Sequence, residues 1–308
     1  MLIDGGNAAD SNVMYTYLKK QSVTHLEYVI GTHAHEDHIG GIPGALNYAT
    51  AGKVYCPVTS YTTKAFQNFV TAAQNRGCSI TVPKVGETFS LGSATCKVLA
   101  VNTESDANNS SIVLRITYGE VSFLFTGDAE REVEQALLNR GTSLKSTVLK
   151  VGHHGSATST SYPFLREVAP QYAVICVGKG NTYGHPTEGT LSRLRDADVK
   201  TFRTDMQGDI ICTSNGKTVS FTVSRNKDAD VFGGIGPNST QSQTPPPAPE
   251  ATPAPEGQDY VLNNNSKLFH YPTCSSAKKI SNKNRQEYNG TREELLSLGY
   301  SPCGNCDP

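Results

Sequence analysis

Gly31-Thr32-His33-Ala34-His35-Glu36-Asp37-His38-Ile39-Gly40-Gly41 places three histidines and an aspartate within six residues of a 308-residue chain. So many imidazole and carboxylate groups converge only around a cation. With no thiolate among them they suit Zn, Mn or Fe, and five candidate positions this close together suit two ions better than one. The alternative, a histidine-rich loop facing solvent, is disfavoured by the specific spacing.

The flanking residues predict where this group lies in the fold. Leu26 to Ile30 is an apolar, β-branched and aromatic run typical of a short buried strand, and Gly40-Gly41-Ile42-Pro43 is typical of a loop that leads into a helix. The candidate ligands therefore lie on a strand-to-helix loop. Open α/β folds commonly place their functional groups there.

His-x-His-x-Asp-His resembles the signature of the metallo-β-lactamase superfamily, and other stretches up to about residue 225 match that family. The apolar run Val121–Thr126 ends in Gly127-Asp128, which resembles the family's bridging aspartate. A second apolar run ends in His153-His154, and His185 lies on a Gly/Pro-bounded loop. Asp4 resembles the family's early aspartate, which orients a ligand histidine.

Three further motifs resemble the branch that includes the hydrolase domain of ComEC-type competence proteins and teichoic-acid phosphorylcholine esterases. They are His-His-Gly-Ser at 153–156, Tyr-Gly-His-Pro at 183–186 and Asn-Ser-Ser-Ile-Val-Leu at 109–114. The resemblance implies an α/β fold, a four-layer αββα sandwich of two mixed sheets face to face, with two divalent ions, Zn or Mn, at one edge.

The ligand set departs from the β-lactamase and glyoxalase II pattern, because residues 105–110 contain no histidine. Two sites can still be filled. The first would use His33, His35 and one of His153 or His154, the second would use Asp37, His38 and His185, and Asp128 would bridge them. Adjacent residues at a strand end point to opposite sides, so only one of the tandem histidines is expected to coordinate.

Spacing from Asp128 in the esterase relatives favours His154 as the ligand and His153 as a hydrogen-bonding or general-acid group. Asp37, Asp128 and His153 form the predicted catalytic set. The site would hold a water with a lowered pKa, which as a metal-bridging hydroxide could attack a phosphodiester, although carboxyl esters and amides also remain possible.

The ComEC-like resemblance favours DNA as the substrate. Asn109, Ser110 and Ser156 are then candidates to lie near the attacked group, with Asn181 or Tyr183 on the substrate side. Ordinary turn chemistry is the competing interpretation of these five residues. The chain has 27 basic and 28 acidic residues, so charge alone does not predict a tight, sequence-independent grip on DNA.

Length and composition predict two domains. Residues 1–232 would form the hydrolase domain, with helices at about 11–20, 42–50, 60–76, 129–140, 161–168 and 187–197. Residues 233–258 are rich in proline and predict an extended linker. Residues 259–308 would form a second, small domain.

The second domain carries His270 and Cys274 and, 29 residues after Cys274, Cys303 and Cys306. Two close pairs of such ligands predict a closed tetrahedral zinc site, which a core of about 50 residues would need for stability. The segment resembles the zinc-binding domain of the Ada DNA-repair protein, although His270 stands where Ada has a cysteine, which favours a structural role over methyl transfer. Its basic residues offer either a phosphate-binding face or a solvated surface: Lys267, Lys278, Lys279, Lys283 and Arg285.

The remaining features bear on location. The other five cysteines are predicted to be small buried hydrophobes rather than disulfides. No apolar segment approaches the roughly 18 residues of a membrane span. The sequence begins where the family would already have completed its first strands, so we expect N-terminal strands, and with them an export signal, to be missing. The Pro/Thr-rich linker favours an extracellular or cell-surface location.

Three functions remain open from sequence: a nuclease or other DNA phosphodiesterase, a hydrolase of another ester class, such as phosphorylcholine or carbonyl esters, and a non-catalytic DNA-binding or uptake accessory. The complete set of candidate ligands argues against the third.

Overall fold

The computed structural model of the chain describes residues 1–233, 258–290, 292, 295, 300–304 and 306. The chain divides into two compact units, Met1–Phe232 and Gly233–Pro308. The predicted linker, apart from its two end residues, lies outside the described residues. Within the described part of the chain, no helix combines the length and apolar character that crossing a bilayer requires.

The N-terminal unit alternates strands and helices along most of its length. Its elements are β1 (Leu2–Ile3), α1 (Ser11–Lys20), β2 (His25–Ile30), α2 (Glu36–Ile39), α3 (Ile42–Tyr48), β3 (Thr50–Tyr55), α4 (Lys64–Gln74), β4 (Ile80–Thr81), β5 (Thr88–Leu91), β6 (Ala94–Ala100), β7 (Val113–Tyr118), β8 (Val121–Phe125), α5 (Arg131–Asn139), β9 (Val148–Lys150), α6 (Tyr162–Val168), β10 (Tyr172–Ile175), α7 (Glu188–Asp196), β11 (Lys200–Arg203), α8 (Thr204–Gln207), β12 (Ile210–Ser214) and β13 (Val219–Val223).

The six predicted helices correspond to α1, α3, α4, α5, α6 and α7. Side-chain caps explain two of the boundaries, since the hydroxyls of Thr63 and Thr187 accept hydrogen bonds from backbone N–H groups in the first turns of α4 and α7. The short helices α2 and α8 have four residues each, too few to show a helical period in the sequence.

The first sheet has the order β1-β2-β3-β4, and each pair of neighbouring strands is parallel. Helices connect these strands, which is the connection that parallel pairing requires. The second sheet has the order β11-β10-β9-β8-β7-β6-β5. It is antiparallel from β5 to β8 and parallel from β8 to β11. Of these two sheets the first is parallel and the second is mixed, whereas the resemblance implied that both would be mixed.

Three clusters of buried side chains define four layers. Ile30 and Tyr55 of the first sheet pack with Val98 and Leu114 of the second, which places the two sheets face to face. Phe69 of α4 belongs to a cluster of α1, α3 and α4 against the outer face of the first sheet. A third cluster joins α5, α6 and α7 to the second sheet. The fold is therefore an αββα sandwich, as expected.

The C-terminal unit contains β14 (Gln258–Asn263), β15 (Leu268–His270), β16 (Arg285–Gly290) and β17 (Ser301–Pro302) in the sheet order β16-β14-β15-β17. Tyr260, Leu262, Phe269 and Leu295 form a small buried cluster. A core of this size contributes little stability on its own. An additional source of stability is therefore expected in this unit.

Candidate metal centre

The candidate ligands lie where strands of both sheets end. The 33–38 group follows β2, Asp128 follows β8, and His153 and His154 follow β9 in a 3₁₀ turn at Gly152–Gly155. His185 follows β10. The carboxyl ends of parallel strands meet at one edge of a sheet, so these loops converge on a common cleft.

Asp128 is at the centre of the group. The side chain is buried, and its Oδ1 lies 3.2 Å from His38 Nε2. Its Oδ2 lies 3.5 Å from His154 Nε2 and 3.9 Å from His33 Nε2. Oδ1 makes no hydrogen bond although it is buried, an arrangement that leaves a carboxylate lone pair available for a cation.

The ligand atoms form two overlapping groups of three. One contains His33, His38 and Asp128, and the other contains Asp37, His38 and His154; within each, one atom per residue lies within 4.8 Å of the others. His35 joins the first group through its Nδ1, which lies 3.0 Å from His33 Nε2. Imidazole nitrogens and carboxylate oxygens at such separations fit divalent transition ions.

Asp4 fixes the orientation of His38, as the resemblance implied. Its Oδ2 accepts a 2.7 Å hydrogen bond from His38 Nδ1, and Thr32 donates its N–H and hydroxyl to the same carboxylate. His38 Nε2 therefore faces Asp128. Asp4 adopts the left-handed region with φ 60°, which aspartate and asparagine tolerate better than most residues.

His154 is held in the same way from the other sheet. Its Nδ1 donates a 2.7 Å hydrogen bond to the Cys176 carbonyl, so the lone pair of Nε2 points into the site. Nε2 lies 3.2 Å from Asp37 Oδ2 and 3.0 Å from His38 Nε2. The structure thus places His154 beside Asp37 and His38. The sequence had instead predicted that the coordinating member of the tandem pair would join His33 and His35.

His153 does not point away from His154. Both residues are left-handed, with φ 48° and 53°, and belong to a turn rather than to the strand, so the alternation of side chains along a strand does not apply to them. His153 Nε2 lies 3.7 Å from Asp128 Oδ2. Both tandem histidines therefore approach the same carboxylate oxygen.

His185 lies beside His153, with ring centroids 5.6 Å apart, and its buried Nδ1 has no hydrogen-bond partner. The tight loop around it is fixed by Asn181, whose amide donates to the His185 carbonyl and whose Oδ1 accepts the His185 N–H. Tyr183 stacks on His185 at 5.9 Å between centroids and is 81% exposed.

The charges of the site favour a bound cation. Burial opposes charge at Asp128, yet the neighbouring His38, His154 and His33 hold its pKa well below the usual range. Burial would also raise the pKa of Asp37, but His154 and His38 lower it to about 2. The pKa of His33 falls to about 3 because of burial and the neighbouring His38, which keeps this imidazole neutral and able to coordinate.

Asn109, Ser110 and Ser156 make local contacts. Asn109 bonds to Asp106 and accepts the N–H of Glu130, Ser110 donates to the Ala107 carbonyl, and the Ser156 hydroxyl bonds to that of Thr158. None of the three is among the described residues that line the cleft. Asn181, Tyr183 and His185 do line it.

The cleft has a volume of about 970 Å³. Besides Asp37 and Asp128, Asp10 and Glu36 contribute carboxylates to its lining, and within the described part of the chain no lysine or arginine lines it. Positive charge inside the cleft therefore comes from its histidines or from bound ions. A cleft of this size accommodates several groups of a substrate.

Several supporting residues were missed by the sequence analysis. The Ser111 hydroxyl accepts the N–H of Asp128 at 3.0 Å, and Gly127, with φ 54°, has no room for a Cβ beside Ser111 and Thr32. Glu130 contacts His153 from the far side. The Asn-Ser-Ser motif and the Gly-Asp pair were visible in the sequence, but their mutual contact joins segments about 17 residues apart.

The C-terminal unit has a second candidate site. Ligand atoms of His270, Cys274, Cys303 and Cys306 all lie within 4.8 Å of one another, and both ring nitrogens of His270 are buried without a hydrogen-bond partner. Although burial opposes it, the neighbouring His270 and the Ala277 backbone lower the pKa of Cys274 to about 6. This donor set fits a tetrahedral zinc ion.

An αββα sandwich with a histidine and aspartate centre at the strand ends defines a class of metal-dependent hydrolases. The "Metallo-beta-lactamase superfamily" model matches residues 1–179, and the chain belongs to this superfamily. The resemblance inferred from the motifs is therefore confirmed.

Relatives include competence proteins. ComE operon protein 3 of Bacillus subtilis (strain 168) is 32% identical over 213 residues, 68% of this chain and 27% of that protein. Competence protein ComA of Neisseria gonorrhoeae is 45% identical over 104 residues, 33% of this chain and 15% of that protein. Recombination protein 2 of Haemophilus influenzae is 30% identical over 206 residues, 67% of this chain and 24% of that protein. The chain thus spans about a quarter or less of each relative's length.

Proposed function

We propose that this chain is a dinuclear metal-dependent phosphodiesterase that cleaves DNA. The observation that carries the proposal is the convergence of four histidine Nε2 atoms, those of His33, His38, His153 and His154, on the buried carboxylate of Asp128. A shared divalent cation would satisfy these acceptor atoms together in one buried place.

The residues divide between two ions. His33 and His35 would hold one, Asp37, His38 and His154 would hold the other, and Asp128 would contact both. When bound, two divalent ions polarise a phosphoryl oxygen and lower the pKa of coordinated water to near neutral. His185 lines the cleft next to these ligands and offers an unpaired ring nitrogen to an ion or to the substrate.

The other residues of the centre keep the ligands in place. Asp4 and the Cys176 carbonyl hold the Nδ1 protons of His38 and His154, so that both Nε2 lone pairs face inward. Ser111 fixes the backbone of Asp128. Such partners prevent the ligands from turning away when no ion is bound.

DNA is favoured as the substrate by the names of two relatives, a competence protein and a recombination protein. The near-zero net charge of the chain and the absence of lysine and arginine from the described cleft lining argue for a transiently held strand. Tyr183, exposed at the rim, would provide a face on which a nucleobase can stack.

The C-terminal unit would help to hold DNA. An Ada-like domain with one structural zinc on His270, Cys274, Cys303 and Cys306 would present its basic residues to phosphates. We place the protein outside the cell or at its surface, where a competence-related enzyme would meet incoming DNA.

One observation favours a second candidate, a phosphorylcholine esterase. Asp10, Glu36 and the exposed Tyr183 line a cleft without described lysine or arginine side chains, and carboxylates with an aromatic face suit a quaternary ammonium group. A non-catalytic accessory role is disfavoured by the complete ligand set.

A substrate panel tests the proposal. The metal-loaded protein is assayed with single-stranded DNA, double-stranded DNA, bis(p-nitrophenyl) phosphate and p-nitrophenyl phosphorylcholine. The proposal expects cleavage of DNA and of the small diester. Turnover of phosphorylcholine ester alone would favour the second candidate, and turnover of none would contradict both.

A further inference from the structure

The Glu130 carboxylate lies behind His153. Glu130 Oε1 is 3.2 Å from His153 Nδ1 and accepts hydrogen bonds from the Thr158 hydroxyl at 3.0 Å and the Asn108 amide at 3.4 Å. The Glu130 N–H donates in turn to Asn109 Oδ1. This carboxylate is therefore fixed by three neighbours.

The contacts determine which nitrogen of His153 carries a proton. Thr158 donates its hydroxyl proton to Glu130, so its oxygen can only accept from His153 Nδ1, which lies 3.2 Å away. Both groups that face Nδ1 are thus acceptors. His153 is therefore protonated on Nδ1, which leaves Nε2 directed at Asp128, 3.7 Å away, as the nitrogen that can coordinate.

The two tandem histidines are arranged alike. The Cys176 carbonyl accepts the Nδ1 proton of His154, and Glu130 and Thr158 accept that of His153. Both histidines direct Nε2 to the same oxygen of Asp128. The consecutive left-handed residues make this possible, since they turn two adjacent side chains toward one point. Two residues in this backbone region are uncommon and cluster at functional sites.

We infer that Glu130 is a positioning residue that makes His153 a metal ligand, so that the tandem histidines supply one ligand to each ion. His154 lies with Asp37 and His38, so the inference assigns His153 to the ion of His33 and His35. His33 Nε2 and His153 Nε2 approach the same oxygen, Asp128 Oδ2. This assignment supplies the third histidine that residues 105–110 lack. His153 is then a ligand and not a free general acid.

Metal binding by the purified 308-residue chain tests this inference without an activity assay. The variants are Glu130→Ala, Glu130→Gln and, as a matched control, Glu132→Ala, which removes an exposed carboxylate two residues away. Affinity for each ion is measured by competition with a chromogenic chelator, and Co²⁺ absorption spectra report the nitrogen and oxygen ligands. The C-terminal cluster contributes the same background to every variant.

Glu130→Ala is expected to lower the affinity for one ion about 10- to 100-fold and to leave the affinity for the other unchanged. It should also alter the Co²⁺ absorption bands of the weakened site. Glu130→Gln keeps an oxygen acceptor and should restore most of the affinity, and it also serves if the alanine variant unfolds. In a His153→Ala background, Glu130→Ala should have no further effect.

Wild-type affinity for both ions in Glu130→Ala and Glu130→Gln would overturn the inference. An undiminished effect of Glu130→Ala in the His153→Ala background would also overturn it, because Glu130 would then act through another group. The inference rests on the proposed metal centre and not on the substrate. Wild-type protein that binds no ion at the centre would refute both, whereas two-ion binding without DNA cleavage would refute only the proposed substrate.

Discussion

The Nε2 atoms of His38 and His154, 116 positions apart in the sequence, lie 3.0 Å from each other. Since Asp4 and the Cys176 carbonyl occupy the two Nδ1 atoms, the two Nε2 atoms share one place for a cation, either a proton on His38 or a metal ion. Although burial opposes charge, Asp4 and Asp128 raise the pKa of His38 to about 10. The same negative field that favours a proton here favours a metal ion.

Asp4→Asn should weaken metal binding about 10- to 100-fold, because His38 loses its anionic partner while the left-handed backbone at residue 4 remains acceptable. Chelator competition measures the change, and Asp10→Asn is the matched control because Asp10 lines the cleft but bonds to Asn7. An Asp4→Asn protein with wild-type affinity would show that the contact with Asp4 does not orient a ligand.

Glu134 should make stability depend on pH. Its carboxylate accepts hydrogen bonds from the N–H groups of Thr160 and Ser161, in the segment that follows the tandem histidines. Burial raises its pKa above the ordinary value of 4.5, even though Ser161, Thr160 and Arg193 act to lower it. Because the pKa is raised, the contribution of Glu134 to stability is complete below pH 4.5 and declines as the pH rises through the pKa of the folded state.

The free energy of unfolding of the wild type minus that of Glu134→Gln should therefore decrease with rising pH. Urea denaturation at several pH values, with chelator present to remove metal effects, gives this difference. A difference that grows with pH would contradict the raised pKa.

Cys303→Ser should remove one equivalent of zinc and loosen the C-terminal unit, because that unit has a small core and metal binding contributes to its folding. Metal analysis and limited proteolysis measure both effects. Cys212→Ser, which changes a half-buried cysteine of the N-terminal unit, is the control. Full zinc content in Cys303→Ser would refute a site that uses this residue.

Tyr183→Ala should lower kcat/KM for single-stranded DNA roughly 5- to 150-fold, the range expected for one lost base-stacking contact. Tyr183→Phe keeps the aromatic face and should stay close to wild type. Metal affinity, measured by chelator competition, should not distinguish Tyr183→Ala from wild type. A weakened metal affinity in Tyr183→Ala would indicate a disturbed site rather than a lost stacking contact.

The layered fold could be predicted because its signals are local. Each signal lies within one short segment of sequence. Examples are the histidine-rich loop that follows one apolar run, Gly127-Asp128 after a second apolar run, and the predicted helices that correspond to α4 and α7. The parallel character of the whole first sheet was missed because the resemblance implied two mixed sheets.

The metal centre was predicted less completely, since its geometry depends on contacts between distant segments. The tandem histidines were treated as the end of a strand, and only the structure reveals the two left-handed residues that turn both side chains inward. Glu130 falls in the helix predicted at about 129–140 and belongs to no motif. Its contact with His153 depends on the fold of residues 153–158.

Cleavage of end-labelled DNA by the purified chain tests whether its metal centre is that of a nuclease. Single- and double-stranded DNA are incubated with Mn²⁺, with Zn²⁺ and with chelator, beside Asp128→Ala. We predict cleavage that requires metal and is lost in Asp128→Ala, while that variant keeps zinc in its C-terminal unit. Intact DNA with a fully metal-loaded wild-type protein, or equal cleavage by Asp128→Ala, would contradict the proposed nuclease.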